Sequence, residues 1–134
     1  LDRDIESVYK EIEFVGAIVN ISEKSSGLIR RCPQCKAALQ KGICAKHGKV
    51  EGLPDLRILA YIDNGQQVMS LLIKREGVEN LLGYSLDELQ KETMEALDPQ
   101  LVFGMAEAKM LGRYFKATGP LMDDFLVASA VEAI

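Results

Sequence analysis

The amino-acid sequence predicts a single domain that is mainly β-sheet, with helices in the second half of the chain. Two observations indicate this class: β-branched segments with alternating apolar residues, and capped helical segments that follow a predicted β-hairpin. The length of 134 residues is typical of one domain. Apolar residues make up 48% of the chain and charged residues 27%, which favours a globular fold over a disordered chain.

The first half of the chain contains three predicted strand regions around a cysteine-rich loop. Residues 13–22 are rich in β-branched side chains, and Gly16 permits a bend or bulge there. Residues 55–62 alternate, so that one face of the strand is apolar. The Asp-Asn-Gly sequence at 63–65 is a strong turn signal, and residues 66–74 supply the returning strand of a hairpin.

Helices are predicted directly after the hairpin. Residues 76–82 form a short helical segment that breaks at Gly83. Ser85 and Glu88 have the spacing of a capping box, which predicts the start of a second helix that Asp98-Pro99 stops. We interpret the apolar stripe of this helix as core packing: Leu86, Leu89, Met94 and Leu97.

The end of the chain predicts two further strands, at residues 112–119 and 125–131, whereas residues 101–110 have no distinct pattern. The order is therefore strand, cysteine-rich loop, strand, strand, helices, strand, strand. Five strands with helices between strands 3 and 4 is the order of an OB-fold, a small Greek-key barrel that often binds nucleic acid. We assign residues 13–134 to this barrel and residues 1–12 to an N-terminal extension or linker.

A metal site is predicted in the loop between barrel strands 1 and 2. All three cysteines and the single histidine lie between positions 32 and 47, as a Cys-x2-Cys pair and a Cys-x2-His pair separated by eight residues. Four ligands of this kind suit tetrahedral zinc, and no position remains for a catalytic water. We therefore predict a structural Zn2+ in a ribbon at residues 30–50, led in by a short strand at 27–31. Its ligands are Cys32, Cys35, Cys44 and His47.

Two other uses of the cysteines are less favoured. A redox-active Cys-x-x-Cys pair normally lies in a strand-to-helix context, which is missing around this motif. Disulfide bonding would leave one of the three cysteines unpaired. Because zinc binding requires reduced thiols, we expect an intracellular location, in the cytoplasm.

Charge is distributed unevenly along the chain. The segment from Lys24 to Lys49 contains seven basic residues and no acidic residue, whereas the chain as a whole has a net charge of −4. A basic ribbon on an acidic body indicates a surface for a phosphate backbone, with salt-dependent affinity. The alternative is that these lysines and arginines only keep the ribbon solvated.

The cysteine block and its neighbours resemble the zinc-containing OB domain of archaeal-type replication protein A, a single-stranded DNA-binding factor. The resemblance extends over most of the chain from residue 13. It rests on FVGAIV at 14–19, GLIRRCPxC at 27–35, CxxHG at 44–48, VEG at 50–52, DLR at 55–57, LGRY at 111–114 and GP at 119–120. It implies a zinc ribbon between the first two strands, no enzymatic activity, and a role in DNA replication, recombination and repair. The implied partners are single-stranded DNA and other replication protein A subunits or domains, without a membrane or a small-molecule substrate.

If that resemblance holds, aromatic rings on the barrel stack on bases and basic side chains follow the phosphates. Tyr61 is the first stacking candidate because it shares a strand face with Arg57. Tyr114 is the second, although its neighbour Phe115 is an alternative exposed ring. Since Arg30 and Arg31 alternate sides, we expect at most one of them to face the groove. The predicted basic contacts are Arg30, Arg31, Lys36, Lys46, Arg57, Arg113 and Lys116.

A different function class is a structural or assembly module that joins subunits and binds DNA weakly or not at all. Its apolar surface is predicted near the C-terminus, at Leu126, Val127, Val131 and Ile134. An enzyme is the least favoured class. The sequence has no glycine-rich phosphate loop, and its single histidine is assigned to the metal.

Overall fold

The computed structural model describes residues 10–39 and 42–134. The strands of this part of the chain are β1 Glu11–Ile21, β2 Gly27–Arg31, β3 Ile43–Cys44, β4 Gly48–Lys49, β5 Leu53–Asp63, β6 Val68–Ile73, β7 Tyr114–Met122, β8 Phe125–Ala128 and β9 Ala130–Ala133. The helices are α1 Arg75–Leu82, α2 Leu86–Ala96 and α3 Leu101–Met110.

Five strands close a barrel in the order β1-β5-β6-β8-β7, and β7 returns to pair with β1. Every pairing around the barrel is antiparallel except that of β6 with β8. The three helices lie between the third and fourth barrel strands, and the cysteine-rich ribbon with β2, β3 and β4 lies between the first and second. The predicted fold class is confirmed: an OB-like barrel with both insertions in the expected connections.

Alternation along the strands builds the barrel interior. In β5, for example, the inward side chains from Leu56 to Ile62 are fully buried, and the residues between them are half-exposed. Helices α1, α2 and α3 each contribute buried side chains to one end of this core. The largest fully buried side chains are Phe115, Ile18, Leu56, Ile58, Ile62, Leu71, Ile73, Leu89, Met110, Leu126, Val78 and Val102.

Gly16 is required for barrel closure rather than for a bulge. A Cβ at this position would overlap the carbonyl of Asp63, because β1 passes here from its pairing with β7 to its pairing with β5. The irregularity in β1 lies further along the strand, between Ile18 and Asn20. The irregularity predicted at Gly16 therefore lies elsewhere in β1. Glycine is needed at position 16 because the backbone of β5 passes close to it.

The interpretation of the α2 stripe is wrong for two of its four members. Leu89 is fully buried, but Met94 is 75% exposed and Leu97 is 88% exposed. Met94 follows Leu89 by five residues, which places it about 140° around the helix. The position above Leu89 belongs instead to Thr93, whose hydroxyl donates to the Leu89 carbonyl at 2.7 Å.

Two further expectations concern where the domain begins and whether a helix could span a membrane. Strand β1 begins at Glu11, so Glu11 and Ile12 of the predicted extension pair with β7. The remainder of that prediction, at residues 1–9, lies outside the described residues. Among the helices described, each is too short or too polar to cross a membrane.

Candidate metal centre and nucleic-acid interface

Two tight turns of similar geometry bring the four predicted ligands together. In the first turn the amide of Lys36 donates to the Cys32 carbonyl at 2.9 Å, and in the second, β3 and β4 pair Cys44 with Gly48. Lys36 and Gly48 each follow the first cysteine of their turn by four residues, and both have positive φ, 64° and 71°. Each turn thus folds its two ligands toward the same point.

Three of the six separations between ligand atoms are close to the edges of a tetrahedral zinc site. All four lie within 4.8 Å of one another. Nδ1 of His47 is 3.4 Å from Sγ of Cys32 and 3.5 Å from Sγ of Cys44, and the sulfurs of Cys35 and Cys44 are 3.6 Å apart. Usual zinc bond lengths give tetrahedral edges of about 3.6 Å for sulfur to nitrogen and about 3.8 Å for sulfur to sulfur. The donor set and its spacing therefore fit one Zn2+.

Backbone N–H groups stabilise two of the thiolates that a metal requires. The amide of Cys35 lowers the pKa of the Cys32 thiol, against the opposite effect of burial. The amides of His47 and Lys46 lower the pKa of the Cys44 thiol. The pKa of Cys35 is raised: the Ala37 amide lowers it, but burial and the two neighbouring thiols outweigh that contribution. A metal that binds here would have to displace the proton of the Cys35 thiol.

Arg31 joins the metal turns to the barrel. Its Nη1 donates to the carbonyl of Lys36 at 3.0 Å, and its Nε forms an ion pair with Asp55 at 2.5 Å. Strand β2, which contains Arg31, pairs with β5 along its whole length. The ribbon is therefore fixed to the same strand that contributes Arg57 to the barrel surface.

A half-exposed face crosses three barrel strands next to the ribbon. Pairing of β5 with β6 and of β6 with β8 aligns Tyr61, Ser70 and Phe125 in one row. The same pairings align Leu59, Leu72 and Val127 in the next row, and the residues between the rows point into the core. We call the two rows the β5–β6–β8 face. It offers two aromatic rings and an aliphatic surface, the components of a base-stacking platform.

An open groove of about 860 Å³ continues from this face toward the ribbon. Leu72 and Val127 belong to both the face and the groove. The groove walls contain four basic and three acidic side chains, so their formal charge is nearly balanced. These are Arg31, Arg57, Lys74 and Arg75, with Glu11, Asp55 and Glu76.

The predicted basic residues separate into three groups, and Arg30 lies apart from them. Arg31 and Arg57 line the groove, and Arg57 also donates from Nε to the Ser25 carbonyl at 2.9 Å. Arg30 points to the other side of β2, where it donates to the Gly52 carbonyl at 3.2 Å, so one arginine of the pair faces the groove. Lys36 and Lys46 are exposed on the metal turns.

Strand β7 holds the third group, on another side of the barrel. Tyr114 is 61% exposed and Phe115 is buried, so Tyr114 is the surface ring of the pair. Tyr114 pairs with Ala17 of β1, whereas Tyr61 lies between β1 and β6. Arg113 is exposed beside it, and Lys116 forms an ion pair with Glu13 at 3.8 Å. Strand β1 lies between this group and Tyr61, and the groove lining includes none of Arg113, Tyr114 and Lys116.

Sequence reasoning misses three residues of the candidate interface: Phe125, Lys74 and Arg75. The sequence pattern at Phe125 indicates only a strand, although alternation around the buried Leu126 places this ring on the outer surface. The hairpin turn could have located Lys74, since pairing of Ile58 with Ile73 puts the next residue opposite Arg57. Arg75 is the first residue of α1 and lies next to Lys74 at the groove.

Comparison with known proteins gives a structural likeness. The sequence matches no family model and no curated protein. A chain from the structure of a replication protein A heterotrimer bound to single-stranded DNA superimposes with a TM-score of 0.56 at 15% identity. The alignment covers 99% of this chain and 34% of that one, so this chain spans about a third of its length. The shared property is the fold.

Proposed function

We propose that this chain is a single-stranded DNA-binding domain of a factor similar to archaeal-type replication protein A. The observation that carries the proposal is the β5–β6–β8 face, in which Tyr61 and Phe125 flank Ser70 beside a groove lined by Arg31 and Arg57. Rings that stack on any base, next to cations that contact phosphates, bind single strands with little sequence preference. The likeness of fold to a chain of the replication protein A heterotrimer supports this function class.

The proposed path of the strand runs along the β5–β6–β8 face and into the groove. Bases contact Tyr61, Phe125 and the aliphatic rows, and the backbone passes the basic groove residues toward Lys36 and Lys46 on the ribbon. Tyr114 and its basic neighbours form a separate, weaker contact in this proposal, because they lie on β7. Zn2+ has a structural role: it fixes the ribbon that positions Arg31 and the two lysines.

Duplex DNA does not fit this mode of recognition as well. Stacking on Tyr61 and Phe125 requires unpaired bases whose faces are accessible, whereas bases in a duplex already stack on each other. The domain is not an enzyme in this proposal, and it acts in the cytoplasm at the nucleoid, in replication, recombination and repair. Its partners are single-stranded DNA and other subunits or domains of the same kind of factor.

Fluorescence anisotropy of a labelled oligonucleotide, titrated with zinc-loaded protein at two salt concentrations, tests the proposal. A duplex of the same sequence is the control ligand. We expect single-strand binding that exceeds duplex binding and weakens as salt rises, because phosphate contacts release counterions. Equal binding to both ligands, or no single-strand binding at high protein concentration, would contradict the proposed function.

The second candidate is an assembly module, and one observation favours it: Met94 and Leu97 are large apolar side chains that lie almost fully exposed on α2 and its C-terminus. The C-terminal surface predicted from sequence is less suitable, since Leu126 is buried and Val131 packs against the core, whereas Ile134 is exposed. Sedimentation at increasing concentration distinguishes this candidate, because it predicts association that does not depend on DNA.

A further inference from the structure

One acidic side chain lies where the proposed function needs positive charge. Asp55 is in the groove on β5, and its side chain is only 18% exposed. Its Oδ2 pairs with Nε of Arg31 at 2.5 Å, and its Oδ1 lies 3.7 Å from Nε of Arg75. Two of the four cations in the groove therefore already face an anion that belongs to the protein.

This carboxylate remains ionised at neutral pH. Burial alone would raise the pKa of Asp55, but the hydrogen bond from Arg31 and the N–H of Leu56, which donates to Oδ1 at 2.8 Å, lower it overall. Arg57, on the same face of β5, lies close enough for its guanidinium to be influenced by both Arg31 and Asp55. Any phosphate that enters the groove thus meets a fixed negative charge.

We propose that Asp55 is an internal anion that competes with phosphate for Arg31 and Arg75 and so limits the affinity of the groove for nucleic acid. The inference rests on the proposed function and names a residue that tunes it. A phosphate must replace or share the carboxylate on these two guanidinium groups, whereas Arg57 and Lys74 have no carboxylate within ion-pair distance among the residues described. A ligand that offers only phosphate groups therefore binds the groove weakly, whereas a ligand that also stacks on the β5–β6–β8 face binds more tightly.

Removal of the charge should not release Arg31 from its position. Its second bond, from Nη1 to the Lys36 carbonyl, does not involve Asp55, and an asparagine at position 55 retains an oxygen that accepts hydrogen bonds. Neutralisation therefore removes the competing charge and leaves the geometry. The predicted sign of the effect is tighter binding, which is opposite to the result expected if Asp55 mainly positions Arg31.

The variant Asp55→Asn tests this sign by anisotropy with a labelled single-stranded oligonucleotide. We expect about three- to tenfold tighter binding at low salt, and a log–log salt slope that steepens by about 0.7 for each additional phosphate that the groove neutralises. The matched control is Asp87→Asn, which removes the same charge from an exposed position in the first turn of α2, outside the groove and the β5–β6–β8 face. It should change affinity much less.

A second comparison does not depend on the folding of Asp55→Asn. Arg75→Gln removes a cation that Asp55 already partly neutralises, and Lys74→Gln removes its neighbour in the groove. We expect Lys74→Gln to weaken binding severalfold more than Arg75→Gln. If binding is unchanged or weaker in folded Asp55→Asn, or if Arg75→Gln costs as much as Lys74→Gln, the inference is overturned. If the unmodified protein binds no oligonucleotide, the proposed function itself fails and the inference with it.

Discussion

The barrel and the ribbon differ in what is buried inside them. Barrel residues such as Leu71 and Ile58 pack in a continuous apolar core to which all three helices contribute. In the ribbon, between residues 32 and 50 and within the part described, the two buried side chains are Cys32 and Cys44, and both belong to the candidate metal site. The barrel is therefore stabilised by apolar burial, whereas we propose that the ribbon is stabilised by a bound metal. The proposed DNA path uses both regions, so each contributes to function through a different kind of stability.

Metal removal should have the largest effect and should act on the ribbon alone. In small zinc motifs the binding energy of the metal is largely folding energy. We expect Cys44→Ser, or chelation of the metal, to abolish amide protection in the metal turns while the barrel keeps a cooperative thermal transition. Hydrogen exchange measured by mass spectrometry reports both regions in one experiment.

Ala45→Ser is the control for this change, because it alters the neighbouring exposed turn residue without touching a ligand. Metal-free protein with unchanged exchange in the metal turns would contradict a metal-dependent ribbon. Loss of the barrel transition in Cys44→Ser would show instead that the two regions unfold as one.

A core truncation in the barrel should destabilise the barrel and leave the metal turns unaffected. Leu71 is fully buried, and Leu→Ala changes at such positions cost about 2–5 kcal/mol. We expect Leu71→Ala to lower the free energy of unfolding of the barrel by this amount without changing metal affinity. Urea denaturation and a metal competition assay measure the two quantities. Val68→Ala, at an exposed position of the same strand, should change stability by less than about 0.5 kcal/mol.

The smallest expected effect concerns the binding face. Removal of one stacking ring costs about 1–3 kcal/mol of binding free energy. We expect Tyr61→Ala and Phe125→Ala each to weaken single-strand binding by that amount while the salt slope stays the same. Tyr84→Ala is the matched control, since Tyr84 is a half-exposed ring that follows α1, outside the β5–β6–β8 face. Equal losses in all three variants would remove the face from the binding site.

The sequence predicts the features that depend on local chemistry. The hairpin at Asp63–Gly65 forms with its side-chain hydrogen bonds, and Ser85 and Glu88 make both bonds of the capping box. The ligand cluster also forms as predicted, because short turns and ligand chemistry determine its geometry. These signals lie within a few residues of one another, so sequence reasoning can detect them.

Other features depend on tertiary context, and the sequence does not predict them. Helix α3 buries Val102, Ala106 and Met110 at intervals of four residues, but apolar residues on its other sides hide that pattern in the sequence. Which sides of α2 are covered is likewise not accessible from spacing alone, as the exposed Met94 shows. The separation of Tyr61 from Tyr114 follows from barrel closure, which no local signal specifies.

An NMR titration of the zinc-loaded protein with a short single-stranded oligonucleotide locates the contact on the molecule and so tests the proposed binding face. We expect amide shifts in β5, β6 and β8 and in the turns that contain Lys36 and Lys46, with α2 unchanged. Shifts confined to α2 near Met94, or to β7 near Tyr114, would contradict the proposed binding face.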